Sequence, residues 1–278
     1  MVAGKSEKKV ALVTGASSGM GRDFARALLA EGLVVYAAAR RVAQMDDLKQ
    51  LGAIPLKMDI TSEEDIQAVV RTIEADHGGV DVLINNAGVS MLGAMEDFSN
   101  SDARYLFEVN LFGAARLTQL VLPAMRKKQA GKIINISSLA GKIYAPLGSW
   151  YHASKHALEG WSDCLRLELA QFNIDVVIIE PGAIDTEMMA NMAEPMLIRS
   201  GNGAYGKTAR GLANFFRKSS GKNNYSPPGV ITDLVIKAVR TRKPKTRYVA
   251  GRDAKPLLFL RRWLSDRSFD KLVMATVK

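Results

Sequence analysis

Along residues 10–180, short continuous apolar runs alternate with longer stretches in which apolar positions recur every third or fourth residue. The runs at 10–13, 33–39, 54–58, 82–84, 132–137 and 174–180 are rich in Val and Ile and read as strands covered on both faces. The periodic stretches at 21–31, 62–77, 103–127 and 149–171 read as helices. Thr61 and Ser62 followed by Glu63, Glu64 and Asp65 give one of them a cap and an acidic first turn. This rhythm predicts an α/β fold: a doubly wound parallel sheet with helices on both faces. Pro181-Gly182 ends the sixth strand, and the rhythm then breaks. Residues 183–225 form a long connection with helical pieces and a loose stretch at 219–224, the pattern of a substrate lid. A helix over 227–240 and a last strand at 247–250 follow. No repeat or linker divides the chain, so 1–278 is expected to be a single domain with a basic amphipathic extension at 251–278.

Composition changes this picture little. The 278 residues are 47% hydrophobic and 24% charged, which excludes disordered and fibrous classes. The polar start over residues 1–9 and the early stop at Thr14-Gly15 predict neither signal peptide nor membrane span. The lone cysteine, Cys164, excludes an intrachain disulfide, fits a reducing, cytoplasmic setting, and is expected to pack in a helix interior. His77, His152 and His156 have no metal-ligand spacing. The net charge of +10 is local: residues 1–239 hold 26 basic and 25 acidic side chains, residues 240–278 hold 12 and 3. A neutral body argues against nucleic acid as a partner. The tail joins Leu257, Phe259, Trp263 and Phe269 to Arg261, Arg262, Arg267 and Lys271. Such a segment can lie on an anionic membrane, close the substrate side, or make a subunit contact, and the last two are favoured.

Candidate chemistry starts at Gly15, Ala16, Ser17, Ser18, Gly19, Met20 and Gly21, between the first strand and its helix. Glycines there permit a tight turn and close approach of backbone to phosphate, and the helix N-terminus offers free N–H groups to a pyrophosphate. The other reading is a glycine turn without a ligand. The second strand ends at Ala39-Arg40-Arg41, where a carboxylate would bind a ribose 2′-hydroxyl and a guanidinium a 2′-phosphate. NADP(H) is therefore favoured over NAD(H), with Arg40 the stronger candidate. Asp59, Asn85, Asn86, Ala87, Gly88 and Asn110 follow or face strand ends, where ligands of such sheets gather. Ser138 stands at another strand end, and Tyr151 and Lys155 are an i,i+4 pair on one helix. An ammonium at about 4 Å would favour the phenolate by roughly 4 kcal/mol at an effective dielectric of about 20, or up to about three pKa units. That would bring a phenol into range for acid–base work. Ser138 would hold the substrate oxygen beside it.

Taken in order, TGASSGMG, NNAG, Asn110, Ser138, YHASK and Pro181-Gly182 resemble the short-chain dehydrogenase/reductase family over residues 8 to about 250. The resemblance implies a Rossmann-type fold and a catalytic tetrad. In it Asn110 holds a relay water, Ser138 positions the carbonyl, Tyr151 is the acid or base, and Lys155 binds the nicotinamide ribose while lowering the tyrosine pKa. It further implies Gly15, Ser17, Ser18, Gly19, Met20 and Gly21 at the cofactor phosphates and Asp59 at the adenine. Asn86, Ala87 and Gly88 would lie along the cofactor, and Pro181, Gly182, Ile184 and Thr186 by the carboxamide. Met20 stands where Ile or Leu is usual. Members of this kind assemble as homodimers or homotetramers through the helices carrying Asn110 and Tyr151. Residues 179–186 and the extended C-terminus resemble members acting on hydroxysteroids, retinoids or other lipophilic alcohols. Met188, Met189, Met192 and Met196 with Leu197 and Ile198 suit an adaptable apolar pocket, to which Met91, Leu92 and Met95 add a wall. The implied function is hydride transfer between NADP(H) and a lipophilic ketone or secondary alcohol. The alternative is an NAD(P)-binding regulatory or scaffold protein without significant turnover.

Overall fold

A computed structural model describes residues 8–219 and 225–275; the polar start at 1–7, most of the loose stretch, 220–224, and the last three residues fall outside it. The strands are β1 (Val10–Thr14), β2 (Val34–Ala39), β3 (Ile54–Lys57), β4 (Val82–Asn85), β5 (Gly131–Ile136), β6 (Ile174–Pro181) and β7 (Arg247–Ala250). They form one parallel sheet in the order β3-β2-β1-β4-β5-β6-β7. The strand order reverses between β1 and β4, which opens a crevice at their C-terminal ends.

Helices α1 (Gly19–Ala30), α2 (Asp46–Gln50), α3 (Glu63–His77), α4 (Asn100–Phe107), α5 (Gly113–Lys128) and α6 (Ser149–Leu169) connect the first six strands. Then come α7 (Glu187–Ala190), α8 (Ala193–Ser200), α9 (Gly206–Ser219), α10 (Gly229–Arg240), α11 (Ala254–Trp263) and α12 (Asp266–Ala275). Successive β1 residues point to opposite faces. Ala11 and Val13 meet Phe24 and Leu28 of α1 and Val235 of α10. Val10 and Leu12 meet Ile73 of α3, Leu117 of α5 and Leu165 of α6. Burial on both faces is why the strands carry no polar alternation.

Three elements depart from expectation. The helix expected over 103–127 is broken by a π-helical turn at Glu108–Phe112, which separates α4 from α5. Residues 42–50, where no element is predicted, form a 3-10 turn and α2. The amphipathic tail bends at Leu264 into two helices. Its anchor is Phe269, fully buried against Tyr144 at 5.3 Å between ring centroids, with Arg261 lying over both rings.

Cys164 is exposed, contrary to expectation. Helix α6 buries the face of Ser154, Leu158, Ser162 and Leu165, and position 164 falls on the other side. The apolar wall also divides. Leu92, Leu147, Met196 and Leu212 form a small core of their own, against which Tyr151 and Met192 pack. Ile198, at 82% exposure, and Met95, at 63%, face outward because their neighbours Leu197 and Ala94 take the inner face.

Candidate active site

The turn after β1 is shaped by what it touches. Gly15 and Gly19 have φ of +68° and +52°, the left-handed region that glycine enters freely. A Cβ on Gly15 would lie 3.0 Å from Ala87 Cα, and one on Gly21 would lie 2.4 Å from both Asn86 Nδ2 and Gly15 O. The two loops are also stapled. Thr14 Oγ1 accepts from the N–H groups of Asn86 (3.0 Å) and Ala87 (2.9 Å), and Asn86 Nδ2 donates to Thr14 O at 2.9 Å. Ser18 caps α1 without a side-chain bond, and no acid stands in its first turn. The first-turn N–H groups thus face a cleft of about 220 Å³ lined by Gly15, Ser17, Ser18, Gly19 and Met20. Free donors at a helix N-terminus with no competing carboxylate fit a pyrophosphate.

Arg40 and Arg41 stand at one end of this cleft. Arg41 Nη2 reaches Ser18 Oγ at 3.4 Å, and Arg40 Nη1 reaches the Tyr105 hydroxyl at 3.3 Å. The nearby carboxylate of Asp47 is engaged by Arg22 and Arg26. Asp59 lines the cleft with Ala87 and Gly88, while its Oδ1 accepts from Thr61 N–H and Thr61 Oγ1. Asn85 turns the other way, into a buried bond with Asn135, and belongs to the core.

The cleft continues into a chamber of about 90 Å³ where Ser138, Tyr151 and Lys155 meet Pro181, Gly182, Ile184 and Thr186. Ser138 Oγ accepts from Ala140 N–H at 3.1 Å and lines the chamber together with the Tyr151 phenol. Gly182 N–H donates to Ala250 O at 2.8 Å, which ties the end of β6 to β7. Thr186 caps α7, its Oγ1 accepting from Met189 N–H, and Met188 and Met189 roof the chamber.

Asn110 lies on the π-helical turn and is fully hydrogen-bonded. Its Oδ1 accepts from Val89 N–H at 2.8 Å, and its Nδ2 donates to Val89 O at 2.9 Å and Ser154 Oγ at 3.1 Å. The bulge aims this amide at the loop after β4, a frequent use of π-turns. A Cβ on Gly88 would fall 3.3 Å from Asn110 Oδ1 and 3.8 Å from Lys155 Nζ, so all three positions converge.

The titration of the pair departs from the sequence expectation. Burial pushes the Tyr151 phenol above its ordinary value, opposed by the Ser138 hydroxyl. Burial lowers the Lys155 ammonium to about 8, partly offset by the charge of Glu159. Lys155 Nζ donates to Ile136 O at 3.1 Å. Desolvation favours the neutral form of each group, and in both it is the largest effect.

Two residues that sequence reasoning passed over support the site. Thr14 is the staple just described. His152 Nδ1 contacts the carbonyls of Ile143 (2.7 Å) and Ala140 (3.1 Å), strapping the segment after Ser138 to α6 beside Tyr151. Only its position next to Tyr151 hinted at this.

Comparison with known proteins agrees with this geometry. The family model described as short chain dehydrogenase matches residues 9–196. The uncharacterized oxidoreductase YusZ of Bacillus subtilis is 34% identical over 264 residues, covering 91% of this chain and 93% of that protein. A 3-ketodihydrosphingosine reductase of Bacteroides thetaiotaomicron is 37% identical over 186 residues, 66% of this chain and 67% of its own. Among solved structures, a short-chain dehydrogenase from Streptomyces avermitilis superposes with a TM-score of 0.81 at 35% identity, covering 97% of this chain and 96% of that one. A serine dehydrogenase complexed with NADP+ gives 0.73 at 26% identity, covering 87% and 94%. The ordered motifs, the reversed strand order and the stapled glycine turn are therefore features of one lineage: the chain belongs to the short-chain dehydrogenase/reductase family, enzymes that use a nicotinamide dinucleotide on CH–OH and C=O groups.

Proposed function

We propose that the protein is an NADP(H)-dependent oxidoreductase acting on a lipophilic ketone or secondary alcohol, with Tyr151 as the proton-exchanging group. The observation that carries this reading is the chamber that Ser138, Tyr151 and buried Lys155 line together at the end of the glycine cleft. Bound in that cleft, the nicotinamide would supply or accept the hydride. Ser138 and Tyr151 would hold the substrate oxygen and meet the charge that develops on it. A phenol kept neutral by burial is ready to donate, which favours carbonyl reduction. Lys155 would bind the ribose, and Asn110 would fix the loop that borders it, with a relay water beside it. A scaffold without turnover gains nothing from burying an ammonium to 7% exposure, a placement that desolvation penalises.

Residues 183–225 would act as the substrate lid, since Met188 and Met189 already roof the chamber. The resemblance to a 3-ketodihydrosphingosine reductase supports a long-chain ketone. Arg40 and Arg41, with Asp47 engaged elsewhere, support a 2′-phosphate, as does the NADP+ in the similar serine dehydrogenase. Consumption of reduced cofactor with a panel of lipophilic ketones is the test, with NADPH expected to be preferred to NADH. Arg40→Asp is expected to lower the NADPH:NADH ratio of kcat/KM by about 10–100-fold, the worth of one charge-assisted hydrogen bond. An unchanged ratio overturns the NADP assignment. Intact cofactor binding without turnover of any ketone restores the scaffold reading.

Exposed Phe112 and Leu167, on the faces around α5 and α6, support a homodimer or homotetramer built there. No helix among the described residues is long and apolar enough to cross a membrane. The outward face of α11 nevertheless presents Lys255, Phe259, Arg262 and Trp263 at i, i+4, i+7 and i+8, with Phe259 and Trp263 largely exposed. Aromatic rings flanked by cations suit an anionic lipid surface, so we assign this face peripheral contact from a cytoplasmic location. Wild type is expected to float with anionic vesicles and Phe259→Ser/Trp263→Ser to remain in the dense fraction. Equal flotation of both excludes the contact.

A further inference from the structure

Behind the reacting centre lies a pair of carboxyl groups that the chemistry above does not use. Glu159, on α6 one turn beyond Lys155, is 3% exposed, and Glu180, on β6, is 2% exposed. Glu159 Oε2 is well partnered: Lys142 Nζ lies at 3.0 Å, Arg247 Nε at 3.1 Å and Arg247 Nη2 at 3.0 Å. Arg247 Nε also lies 3.2 Å from Glu180 Oε1, but its single hydrogen points to Glu159. Arg247 Nη2 is shared further with Asp163 at 2.5 Å. Oε1 of Glu159 and Oε1 of Glu180 are both buried and have no hydrogen-bond partner.

Two buried carboxylate oxygens without donors are costly as two anions, and a single proton between the side chains satisfies both. The charge around them agrees. Lys142 approaches from the turn after β5 and Arg247 from β7, while Asp163 and Lys155 share α6 with Glu159. Asp163 is held by Arg166 and also takes part of Arg247, whose Nε hydrogen goes to Glu159, so Glu180 is left without a cation of its own. Glu159 also packs under the Ser138 turn, where a Cβ on Gly141 would lie 2.8 Å from Glu159 Cγ and 3.0 Å from Lys155 O.

We infer that Glu159 and Glu180 form a carboxyl pair sharing one proton, and that the negative charge left on Glu159 is the positioning element that keeps the Lys155 ammonium charged in its buried seat. Burial and the neighbouring carboxylate raise Glu180 to about 7, consistent with a proton held into the neutral range. Glu159 is the carboxylate that counters the desolvation of Lys155. The inference rests on Lys155 serving the reaction, yet it is testable without turnover.

Infrared titration of the full chain reads the shared proton, and the ε-carbon shift in protein labelled with [ε-13C]lysine reads Lys155, identified by Lys155→Arg. Wild type is expected to keep the band of a buried protonated carboxyl at pH 6 and lose it near pH 7. Glu180→Gln should abolish that band, because its amide donates to Glu159, and should move the Lys155 midpoint less than the loss of Glu159 does. Glu159→Gln should lower the Lys155 midpoint by about one unit or more, the effect of removing a nearby opposite charge. The alkaline limb of the pH–rate profile, where turnover is measurable, should move with it. A merely structural role would cost stability in both variants and move neither midpoint. Absence of the band in wild type overturns the shared proton, and this result stands even if Glu159→Gln fails to fold. An unmoved Lys155 midpoint in folded Glu159→Gln overturns the positioning role.

Discussion

Tyr151→Phe is expected to lower kcat/KM for carbonyl reduction by about 10²–10⁴-fold, the usual worth of a placed general acid. The substitution removes one oxygen from a ring that packs against the small core of Leu92, Leu147 and Met196, so the fold should be kept. Ser138 retains its bond from Ala140 N–H, so the turn beside it keeps its shape. Cofactor affinity should change little, because the glycine cleft is untouched. The pH dependence follows from the two displaced titrations. The phenol, held above its ordinary value by burial, stays protonated through the neutral range. Lys155, lowered to about 8, loses its charge as pH rises through that value. Reduction by wild type should therefore decline above about pH 8, with Lys155 and not Tyr151 setting that limb. Steady-state rates from pH 6 to 10 for both proteins, with melting curves as controls, decide the matter (the pH limits spanning the ordinary His to Tyr range). A loss smaller than about tenfold in Tyr151→Phe would sink the assignment.

Gly21→Ala sets two effects against each other. Alanine is favoured over glycine within a helix by about 1 kcal/mol. The added Cβ, however, would sit 2.4 Å from Gly15 O and from Asn86 Nδ2, and one of those atoms is backbone. Relief requires parting the α1 turn from the loop after β4, which Thr14 and Asn86 hold together. Overpacking of this kind costs about 1–3 kcal/mol and should outweigh the helical gain. The displaced N–H groups should lose about one charge-assisted hydrogen bond to the pyrophosphate, weakening dinucleotide binding about 10–100-fold. Urea unfolding and a fluorescence titration with NADPH measure the two losses. A variant at least as stable as wild type that binds equally well would mean the glycine is there for helix entry alone.

The alternation of strands and helices could be read from the chain because parallel strands buried on both faces are continuous apolar runs, and their helices repeat at 3.6 residues. Residues 42–50 were not legible, since two short turns present too few apolar positions to set a period. Nor was the break at Glu108–Phe112. Its apolar spacing still looks helical, and the bulge follows from Asn110 bonding to Val89, a partner 21 residues away. Cys164 was misplaced because the buried stripe of α6 is chosen by what it faces.

The same division holds for the site. Which residue types were present, and in what order, came from the chain alone: the glycines of the first turn, the Asn86–Gly88 loop, Ser138, and Tyr151 one turn before Lys155. Their charge states did not. A phenol and an ammonium at i,i+4 predict mutual attraction, but burial has the stronger effect and drives both toward neutrality. The carboxyl pair was equally hidden, because Glu159 and Glu180 sit 21 positions apart and meet only when α6 packs on β6. Local spacing determines which groups can share a helix face or a turn; desolvation and long-range contact, which set their protonation, exist only once the chain is packed.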